Sequence, residues 1–536
     1  MTLQFQLADL FECVADAVPE REAVVYGERR LTFRQFDERA TQLAHYLRGQ
    51  GIGPGDRVGL YLYNCNEYLE GALAAFKLGA SPVNINFRYV EEELRYLCDD
   101  ADLKAMIFHR EFAPRVAGVA PKLPAMRTLI YVEDDSHTEV GAALPPAVEY
   151  ESAIREQSSV RDFGERSSDD VYLLYTGGTT GMPKGVMWRH EDVFFAGLQG
   201  GNPGGPDITA PKQLGANAAA GNPTVTLPVA PLMHGNGHWS CMIGLHGGGK
   251  VVLTQSRRLD GHEIWSLVER ERVSVMSIVG DAMARPMAQA LEEKEYDVAS
   301  VFAFSSAGAL FSEDVKERLR AKLKTTLIID AFGMSEAGHE GMNLGKNADG
   351  RLRFSIDALT AVLDDDLRRV EPGSGKVGML ARTGRLPLGY WKDPEKTAKT
   401  FVTDQDGRRW VMAGDMATID QDGTAVVLGR GSLCINSGGE KIYPEEVELA
   451  LRSHPGVYDA VVVGVPDDRW GQRVAAVVQP QPGVSLTLDD LAAHCATHIA
   501  RYKLPRELHL VESMQRSPAG KADYAWAKSI VLGEAK

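Results

Sequence analysis

Short apolar runs alternate with segments of helical periodicity along the first 110 residues of the chain. Residues 57–63 (RVGLYLY) have the apolar content of a strand, and residues 66–80 (NEYLEGALAAFKLGA) repeat apolar side chains at helical spacing. The same alternation returns between residues 221 and 326. Strands that alternate with helices predict an α/β domain of layered sheets. The segment 200–223, rich in Gly, Pro, Asn and Ala, is expected to be a long irregular loop.

The pattern changes twice in the second half of the chain. Beyond Asp364, short strands and turns continue up to Arg430 and predict a small β-barrel-like part. A compact α/β unit follows, which begins with a helical segment at 443–454 (YPEEVELALRSH). We therefore expect a large N-terminal domain, residues 1–430, and a small mobile C-terminal α/β domain, residues 431–536.

Composition limits the classes of function that are open to this chain. Its 536 residues are 44% hydrophobic and 24% charged, and a net charge of −15 argues against nonspecific nucleic-acid binding. No apolar run approaches the roughly 20 residues of a membrane helix, and the first residues lack a basic flank. We expect no transmembrane segment and a cytoplasmic location. The six cysteines form no C-x-x-C pair, and reduced thiols are expected.

The segment from Tyr175 to Trp188 (YTGGTTGMPKGVMW) concentrates glycines, threonines and a lysine after an apolar strand at 170–175. Glycines allow consecutive N–H groups to point inward and to form an anion-binding concavity. Hydroxyl groups and a cation then complete a site that suits a polyphosphate, although a mobile surface turn is the alternative. The candidate phosphate-binding residues are Thr176, Gly177, Gly178, Thr179, Thr180, Gly181 and Lys184.

This loop differs from a Walker loop, in which a lysine directly follows the last glycine and a Ser or Thr follows the lysine. Here Met182 and Pro183 separate Gly181 from Lys184, and Gly185 stands in place of the hydroxyl residue. The segment instead resembles the phosphate loop of the AMP-forming, adenylate-forming enzymes. These include acyl-CoA synthetases, luciferases and the adenylation domains of peptide synthetases.

Two downstream segments resemble the nucleotide site of this family. The stretch 330–338 (DAFGMSEAG) follows an apolar strand, and a turn is expected at Gly333. The resemblance implies that Glu336 binds Mg²⁺, with Thr176 as a second candidate metal ligand and catalytic residue. It also implies that small residues at 305–309 form the wall for the adenine, although a plain turn after a strand is the alternative there. The residues implied to line the nucleotide are Ser306, Ala307, Gly308, Asp330, Ala331, Phe332, Gly333, Met334 and Ser335.

Three further residues match family positions nearer the C-terminus. Asp415 follows an apolar strand, and the resemblance assigns it to the ribose hydroxyls. Arg430, which follows in the segment VVLGRG, is a further residue that the resemblance places at the nucleotide. Lys521 lies in RSPAGKADYAW, where the family has a lysine that bridges the substrate carboxylate and the α-phosphate. A cation suits that position because one anion must attack another. Each residue alone would be interpreted as a solvated surface charge.

The segment 231–239 (PLMHGNGHW) is expected to line the pocket for the substrate carboxylate, with His234 as a catalytic candidate. His234 and His238 have the spacing of metal ligands on a helix, but Gly235 and Gly237 disfavour a helix, so a metal site is the weaker alternative. Relatives that activate amino acids usually carry Asp at the position of Gly235. The absence of this Asp favours a substrate acid without an α-amine.

The resemblance spans nearly the whole chain. The amino-acid sequences of its motifs are most similar to those of acyl-CoA synthetases of lipid and steroid side-chain breakdown in actinobacteria. The resemblance implies ATP, Mg²⁺ and coenzyme A as cofactors and a hydrophobic carboxylic acid as substrate. The acid would first form acyl-AMP. Rotation of the C-terminal domain about Ser432, where the family usually has Asp or Lys, would then bring CoA-binding residues to the site. These are Gly438, Gly439, Glu440 and Lys441.

Several alternatives stay open at the level of sequence. An adenylating enzyme with an amine or a carrier protein as acceptor would keep every motif above. An ADP-forming ATPase and a nucleotide-binding protein without catalysis are the other rivals. The identity of the acid is open, and so is the oligomeric state, for which a homodimer is one candidate.

Overall fold

The computed structural model describes residues 3–141, 145–176, 182–309, 311–346, 352–437, 440–467, 471–499, 501–516 and 521–534. Its helices are α1 (Leu7–Ala17), α2 (Phe33–Gly49), α3 (Asn66–Lys77), α4 (Glu91–Asp100), α5 (Ala113–Val119), α6 (Tyr150–Ile154), α7 (His190–Ala196), α8 (Pro211–Ala220), α9 (Gly235–His246), α10 (Gly261–Glu271), α11 (Gly280–Glu293), α12 (Glu313–Lys322), α13 (Pro394–Thr400), α14 (Pro444–Arg452), α15 (Leu488–Cys495) and α16 (Tyr524–Leu532).

The strands of the first half of the chain alternate with these helices, as the sequence predicts. They are β1 (Glu22–Tyr26), β2 (Arg29–Thr32), β3 (Arg57–Tyr61), β4 (Ser81–Asn84), β5 (Ala105–His109), β6 (Thr128–Val132), β7 (Ala147–Glu149), β8 (Val171–Thr176), β9 (Lys184–Arg189), β10 (Val225–Pro228), β11 (Lys250–Leu253), β12 (Val275–Ile278), β13 (Ala303–Ala307) and β14 (Leu327–Met334).

The remaining strands are mostly antiparallel. They are β15 (Gly338–Lys346), β16 (Leu352–Ile356), β17 (Thr360–Leu363), β18 (Gly378–Arg382), β19 (Gly389–Tyr390), β20 (Phe401–Thr403), β21 (Arg409–Val411), β22 (Asp415–Ile419), β23 (Ala425–Arg430), β24 (Ile435–Ser437), β25 (Glu440–Ile442), β26 (Val457–Asp467), β27 (Gly471–Pro480) and β28 (Glu507–Leu510).

The strands form three sheets. The first has the order β2-β1-β11-β10-β12-β13-β14-β15-β16-β23-β22-β18-β21-β20, with β17 beside β18. Its strands are parallel from β1 to β14 and antiparallel from β14 onward. The second sheet has the order β19-β9-β8-β4-β3-β5-β6-β7, and the third has the order β25-β24-β27-β26 with β28 beside β27. The protein is thus a mixed α/β structure with a large N-terminal part and a smaller C-terminal unit.

The largest buried apolar cluster surrounds α1, α2 and α3, with Leu10, Phe36 and Tyr68 among its members. Removal of side chains of this size from water contributes about 1.5–3 kcal/mol for each residue. This core is continuous with Trp188 on β9 and thereby holds the strand that carries the predicted phosphate loop. β9, the strand that follows the predicted phosphate loop, is therefore anchored to this core.

In the C-terminal unit, side chains that alternate between the two faces of β26 pack on helices, and one of these helices begins just after Lys521. Val462 of β26 packs toward α14 and α15, whereas its neighbours Val461 and Val463 pack toward α16 on the other face. β26, which lies at the end of the third sheet beside β27, is therefore apolar on both of its faces. Because α16 begins at Tyr524, this packing also fixes the chain directly after Lys521.

The prediction of a long irregular loop at 200–223 is wrong. Residues Pro211–Ala220 form α8, which packs on α1 so closely that a Cβ at Gly215 would lie 2.4 Å from the carbonyl oxygen of Cys13. The alanines of α8 have the highest intrinsic helix propensity, and proline is favoured at a helix start. Tertiary contact with α1 outweighs the cost of the internal glycine.

No helix within the described ranges combines the length and the apolar character needed to cross a membrane.

Candidate active site

The strands β8 and β9 pair antiparallel, with Thr176 opposite Lys184, so the predicted phosphate loop joins the two ends of a hairpin. We call β8 and β9 the phosphate hairpin. Residues 177–181, which include Gly177, Gly178, Thr179, Thr180 and Gly181, lie outside the described part of the chain. The hairpin presents the hydroxyl-bearing Thr176 and the cationic Lys184 at the same edge of the second sheet.

Lys184 pairs with a residue that the sequence analysis did not identify. Its Nζ atom forms an ion pair with Asp393, the N-cap residue of α13, whose carboxylate also accepts a hydrogen bond of 2.9 Å from the backbone N–H of Lys396. The pairing of β19 with β9, in which Tyr390 lies opposite Val186, brings Asp393 to the hairpin. Without bound phosphate, Asp393 supplies the negative charge that Lys184 contacts.

Tyr390 connects the phosphate hairpin to the predicted metal ligand. The Nζ atom of Lys184 lies 6.0 Å from the centroid of its ring, and its hydroxyl donates a hydrogen bond of 3.0 Å to Oε1 of Glu336. Lys184 and Glu336, 152 positions apart by their numbers, therefore both contact the same side chain. A phosphate-binding cation and a metal-binding carboxylate are expected to be neighbours of this kind.

Glu336 lies in the turn between β14 and β15 and is half-buried. The expected turn at Gly333 is wrong, because β14 continues through Gly333 to Met334, and Gly333 pairs with His339 across a bulge in the ladder. A Cβ at Gly333 would lie 2.3 Å from the carbonyl oxygen of Gly338, so this glycine permits close strand pairing rather than a turn. The indole N–H of Trp188 donates a hydrogen bond of 2.9 Å to the carbonyl oxygen of Ser335 and ties this turn to β9.

The parallel pair β13 and β14 separates the predicted nucleotide-lining residues into two faces. Ser306 pairs with Asp330, and Ala307 pairs with Ala331. The hydroxyl of Ser306 accepts a hydrogen bond of 3.0 Å from the backbone N–H of Gly280 at the start of α11. Because successive side chains alternate between faces, Ala307 and Ala331 lie on the opposite face.

The Asp330 carboxylate is engaged by side chains of the protein. It accepts hydrogen bonds of 2.8 Å from Lys316 and 2.7 Å from Asn343. Burial raises its pKa, although the Lys316 charge opposes this shift. The two alanines lie opposite these polar contacts, which leaves that face flat and suits a planar base. Phe332 shares the Asp330 face and packs on Phe354 at 5.3 Å between ring centroids.

Two further predicted nucleotide-site residues lie on one hairpin of the first sheet. Asp415 begins β22, Arg430 ends β23, and the two residues are directly opposite each other. Asp415 is buried, with 7% of its surface exposed. For Arg430 only the backbone is described. The structure thus places the two predicted nucleotide-site residues opposite each other, and their roles stay predictions.

Lys521 approaches the predicted nucleotide wall and the predicted carboxylate pocket at once. A Cβ added to Gly308 would lie 3.9 Å from the Cε atom of Lys521. The pKa of His234 is lowered to about 4 by burial, with further contributions from the charges of Lys521 and Arg88. Gly308 belongs to the predicted nucleotide wall and has a φ of +85°, a backbone conformation that glycine adopts without strain. The lysine of the C-terminal unit therefore lies near both the predicted nucleotide wall and the predicted carboxylate pocket.

His234, which lies within electrostatic range of Lys521, has a buried ring nitrogen. Its Nε2 atom has no hydrogen-bond partner among the residues that the structure describes. Since the lowered pKa keeps the ring neutral near pH 7, this nitrogen is available to a polar ligand without an added positive charge. A buried polar atom without a partner is costly in a folded protein, and a bound substrate would satisfy it.

The expectation that glycines prevent a helix after His234 is wrong. His234 is the N-cap of α9, which runs from Gly235 to His246. A Cβ at Gly237 would lie 2.4 Å from the carbonyl oxygen of Pro231, so close packing requires this glycine and outweighs its low propensity. His238 is buried in the core, and its Nδ1 atom lies 3.1 Å from the hydroxyl of Tyr172. His238 is therefore part of the core and does not line the candidate site.

A third residue that the sequence analysis missed, after Asp393 and Tyr390, joins the two sides of the site. The Asn84 side chain donates to the carbonyl oxygens of Tyr175 and Met233, at 2.8 Å and 2.7 Å, and accepts from the N–H of Tyr175. It thereby connects the end of β8 to the residue before His234. Neither Asn84 nor Tyr390 forms part of a local motif, so only their long-range contacts identify them.

The predicted hinge and CoA-binding residues follow β23. Ser432 lies in a single 3₁₀ turn, Gly431–Leu433, between the first and third sheets. Gly438 and Gly439 lie outside the described residues, and the backbones of Glu440 and Lys441 belong to β25. The CoA-binding assignment therefore stays a prediction.

Comparison with known proteins identifies the family. Residues 11–391 match the family described as AMP-binding enzyme, and residues 446–521 match the AMP-binding enzyme C-terminal domain. The chain belongs to the AMP-binding enzyme family. The resemblance inferred from the motifs is confirmed.

Among its relatives are actinobacterial CoA ligases of nearly the same length. The chain is 47% identical to the 3-oxocholest-4-en-26-oate--CoA ligase of Rhodococcus rhodochrous, over 98% of this chain and 96% of that protein. It is also 47% identical to the medium/long-chain-fatty-acid--CoA/3-oxocholest-4-en-26-oate--CoA ligase of Mycolicibacterium smegmatis, over 98% and 97% of the two chains.

Solved structures of adenylate-forming enzymes share the fold. The anthranilate CoA ligase AuaEII in complex with anthranoyl-AMP superposes with a TM-score of 0.84 and 23% identity, covering 100% of this chain and 99% of that one. At this identity the likeness concerns the fold alone. It agrees with the α/β class and the two-part organisation that the sequence predicts.

Proposed function

We propose that this AMP-binding enzyme is an ATP-dependent acyl-CoA synthetase that activates a hydrophobic carboxylic acid through an acyl-AMP intermediate. The observation that carries the proposal is the position of Lys521 beside Gly308 and within electrostatic range of His234. The cation of the C-terminal unit is thus next to both the candidate nucleotide wall and the candidate carboxylate pocket. The names of the 47% identical relatives support a medium- or long-chain fatty acid or a steroid side-chain acid as the substrate class.

In the first half-reaction, the substrate carboxylate attacks the α-phosphate of ATP, and pyrophosphate leaves. We assign Lys521 to the developing negative charge between the carboxylate and the α-phosphate, because a fixed cation there stabilises the transition state more than the separated reactants. The neutral Nε2 of His234 would orient the acid. Lys184 would exchange its contact with Asp393 for the terminal phosphates.

The residues around Glu336 fit a magnesium ion. The half-buried Glu336 carboxylate and the Thr176 hydroxyl offer the oxygen ligands that this hard cation prefers, and Tyr390 orients the carboxylate. When bound, the ion would neutralise charge on the phosphates. We propose Mg²⁺ binding at these ligands and CoA binding at residues 438–441. We also propose a domain boundary at Arg430, a cytoplasmic location and a homodimeric state.

In the second half-reaction, the thiol of coenzyme A attacks the acyl carbonyl and AMP leaves. In this step a C–S bond forms, the bond between the acyl carbon and the phosphate oxygen breaks, and the thiol proton is lost. We assign no role to Lys521 here, because no carboxylate attacks a phosphorus atom. Its location on a separate small unit supports rotation of that unit between the two steps. Rotation would remove the lysine and expose the acyl carbonyl to a thiol.

A substrate screen with resolved products tests the proposal. Purified protein, ATP and Mg²⁺ are combined with acids from octanoate to 3-oxocholest-4-en-26-oate, with and without coenzyme A, and AMP, ADP and acyl-CoA are quantified. Acyl-CoA and AMP in equal amounts, dependent on both acid and CoA, are expected. Release of ADP would favour an ATPase, AMP release that another acceptor stimulates would favour a different adenylating enzyme, and absence of acid-dependent pyrophosphate exchange would contradict the proposal.

A further inference from the structure

The C-terminal unit contacts the N-terminal part of the chain at a buried arginine of α11. The Cζ atom of Arg285 lies 5.8 Å from the centroid of the Tyr458 ring on β26. Arg285 is itself fixed by ion pairs of 3.1 Å to Asp281 and 3.2 Å to Asp314. With 8% of its surface exposed, it is a preorganised cation on which the aromatic ring is placed.

The same helix acts electrostatically on the C-terminal unit at a second point. The pKa of Arg452 on α14 is raised: burial lowers it, but the charges of Asp459, Glu448 and Asp281 outweigh this effect. The first two acids belong to the C-terminal unit, whereas Asp281 belongs to the first turn of α11. Two charged residues of α11, one turn apart, therefore face the C-terminal unit.

The residue after Tyr458 anchors the loop that carries Lys521. The Asp459 carboxylate accepts two hydrogen bonds from Arg516, at 2.7 Å and 2.5 Å, and pairs with Arg452 at 3.0 Å. Arg516 and Ala522 form an antiparallel bridge that closes the chain segment between them. Because Lys521 is the last residue inside this bridge, Asp459 determines the position of the base of its loop.

The start of α11 is also joined to the nucleotide wall, since the N–H of Gly280 donates to the Ser306 hydroxyl. A continuous set of contacts thus leads from the wall through Arg285 and Tyr458 to Asp459, Arg516 and the Lys521 loop. In this set of contacts, the cation–π contact between Arg285 and Tyr458 is the one that joins the N-terminal part to the C-terminal unit within the described residues. The contact depends on the present orientation of the C-terminal unit and would be lost on rotation.

We propose that Tyr458, docked on Arg285, is a positioning residue that holds Lys521 at the acyl-AMP-forming site and is dispensable for thioester formation. The inference rests on the proposed function and assigns a residue outside the family motifs discussed above. A cation–π contact contributes enough free energy to change the population of the docked state roughly three- to thirty-fold. Its loss should therefore lower the adenylation rate by a similar factor.

The experiment compares the two half-reactions in the full-length protein. Tyr458→Ala removes the ring, Tyr458→Leu keeps apolar volume without a π face, and Tyr458→Phe keeps the cation–π contact. Adenylation is followed by pyrophosphate release in single-turnover mixtures with the best acid, and thioester formation is followed from supplied acyl-AMP and CoA. Tyr296→Ala, at a half-buried tyrosine of the N-terminal part that contacts His262 and Lys294, is the matched control.

We expect Tyr458→Ala and Tyr458→Leu to lower the adenylation rate roughly three- to thirty-fold, without change in the KM for ATP, and to keep thioester formation within about twofold of the parent. Tyr458→Phe and Tyr296→Ala should match the parent in both steps. Equal losses in both steps, or unchanged adenylation in the Ala and Leu variants, would overturn the inference. A parent protein that fails to adenylate any acid would instead contradict the proposed function, so the two failures are distinguishable.

Discussion

Tyr390 donates a hydrogen bond of 3.0 Å to Glu336, although the two residues are 54 positions apart in the chain. The short strand β19 makes this contact possible because it pairs with β9 beside the phosphate hairpin. One tyrosine therefore orients the candidate metal ligand and also contacts Lys184. The contact gives the metal site an orienting residue that no local motif specifies.

The Tyr390→Phe variant should bind Mg²⁺ less effectively. A hydrogen bond to a charged group contributes about 1.5–3 kcal/mol, so we expect the Mg²⁺ concentration for half-maximal adenylation to rise roughly tenfold. ATP binding in metal-free buffer, measured by calorimetry, should not change. Glu336→Gln should show a larger shift of the same kind, and Tyr46→Phe, which removes a hydroxyl near Thr128, should show none. A Tyr390→Phe variant with the parental Mg²⁺ dependence would contradict the assignment.

Lys521→Ala should separate the two half-reactions completely. The lysine stabilises charge only while the carboxylate attacks the phosphate, so acyl-AMP formation should fall by about 10²–10³-fold, as when a preorganised electrostatic group is removed. Conversion of supplied acyl-AMP and CoA to thioester should remain close to the parental rate. Lys528→Ala, at an exposed lysine of α16, is the control for loss of charge. Equal decreases in both half-reactions would exclude the proposed role.

Ser432→Pro should hold the C-terminal unit in its present orientation. Ser432 lies in a 3₁₀ turn, and the φ of about −60° in such a turn is close to the value that proline imposes. We therefore expect adenylation to survive and thioester formation to collapse, since the hinge can no longer reach a second conformation. Single-turnover measurements of each step decide the point. Parental rates in both steps would place the hinge elsewhere.

Acidification should destabilise the fold between pH 6.5 and 4.5. Burial lowers the pKa of His190 to about 3 and those of His238 and His246 to about 4, from an ordinary value of 6.5. The unfolded chain therefore binds protons that the folded protein does not, and stability present above pH 6.5 is lost as the pH falls. The slope is at most about 1.4 kcal/mol per pH unit for each histidine.

Denaturant unfolding at pH 7.5, 6.5 and 5.5 measures this loss. His246→Gln should have a smaller dependence on pH than the parent, whereas His498→Gln, at an exposed position, should keep the parental slope. A free energy of unfolding that does not change between pH 7.5 and 5.5 would show that these histidines are accessible to protons in the folded state.

Local patterns predicted the secondary structure best where propensity and burial agree. The strand before the phosphate loop was predicted as 170–175 and is Val171–Thr176, and the helix with Pro444 at its start is α14. The errors at 200–223, at Gly333 and at Gly237 have one physical cause. In each case glycine permits a close approach of backbones that exists only in the folded protein, whereas propensity treats glycine as a helix or strand breaker.

The sequence by itself determined the family, the α/β class and the order of the candidate residues, because these depend on short motifs and on periodicity. Only the tertiary structure decided which side chains meet. The deciding contacts join segments that are far apart in the chain: Tyr390 contacts Glu336, Asp393 contacts Lys184, Asn84 connects Tyr175 to Met233, and Tyr458 contacts Arg285. Such contacts depend on sheet register and on how the packed units lie against each other, which periodicity along one chain does not specify.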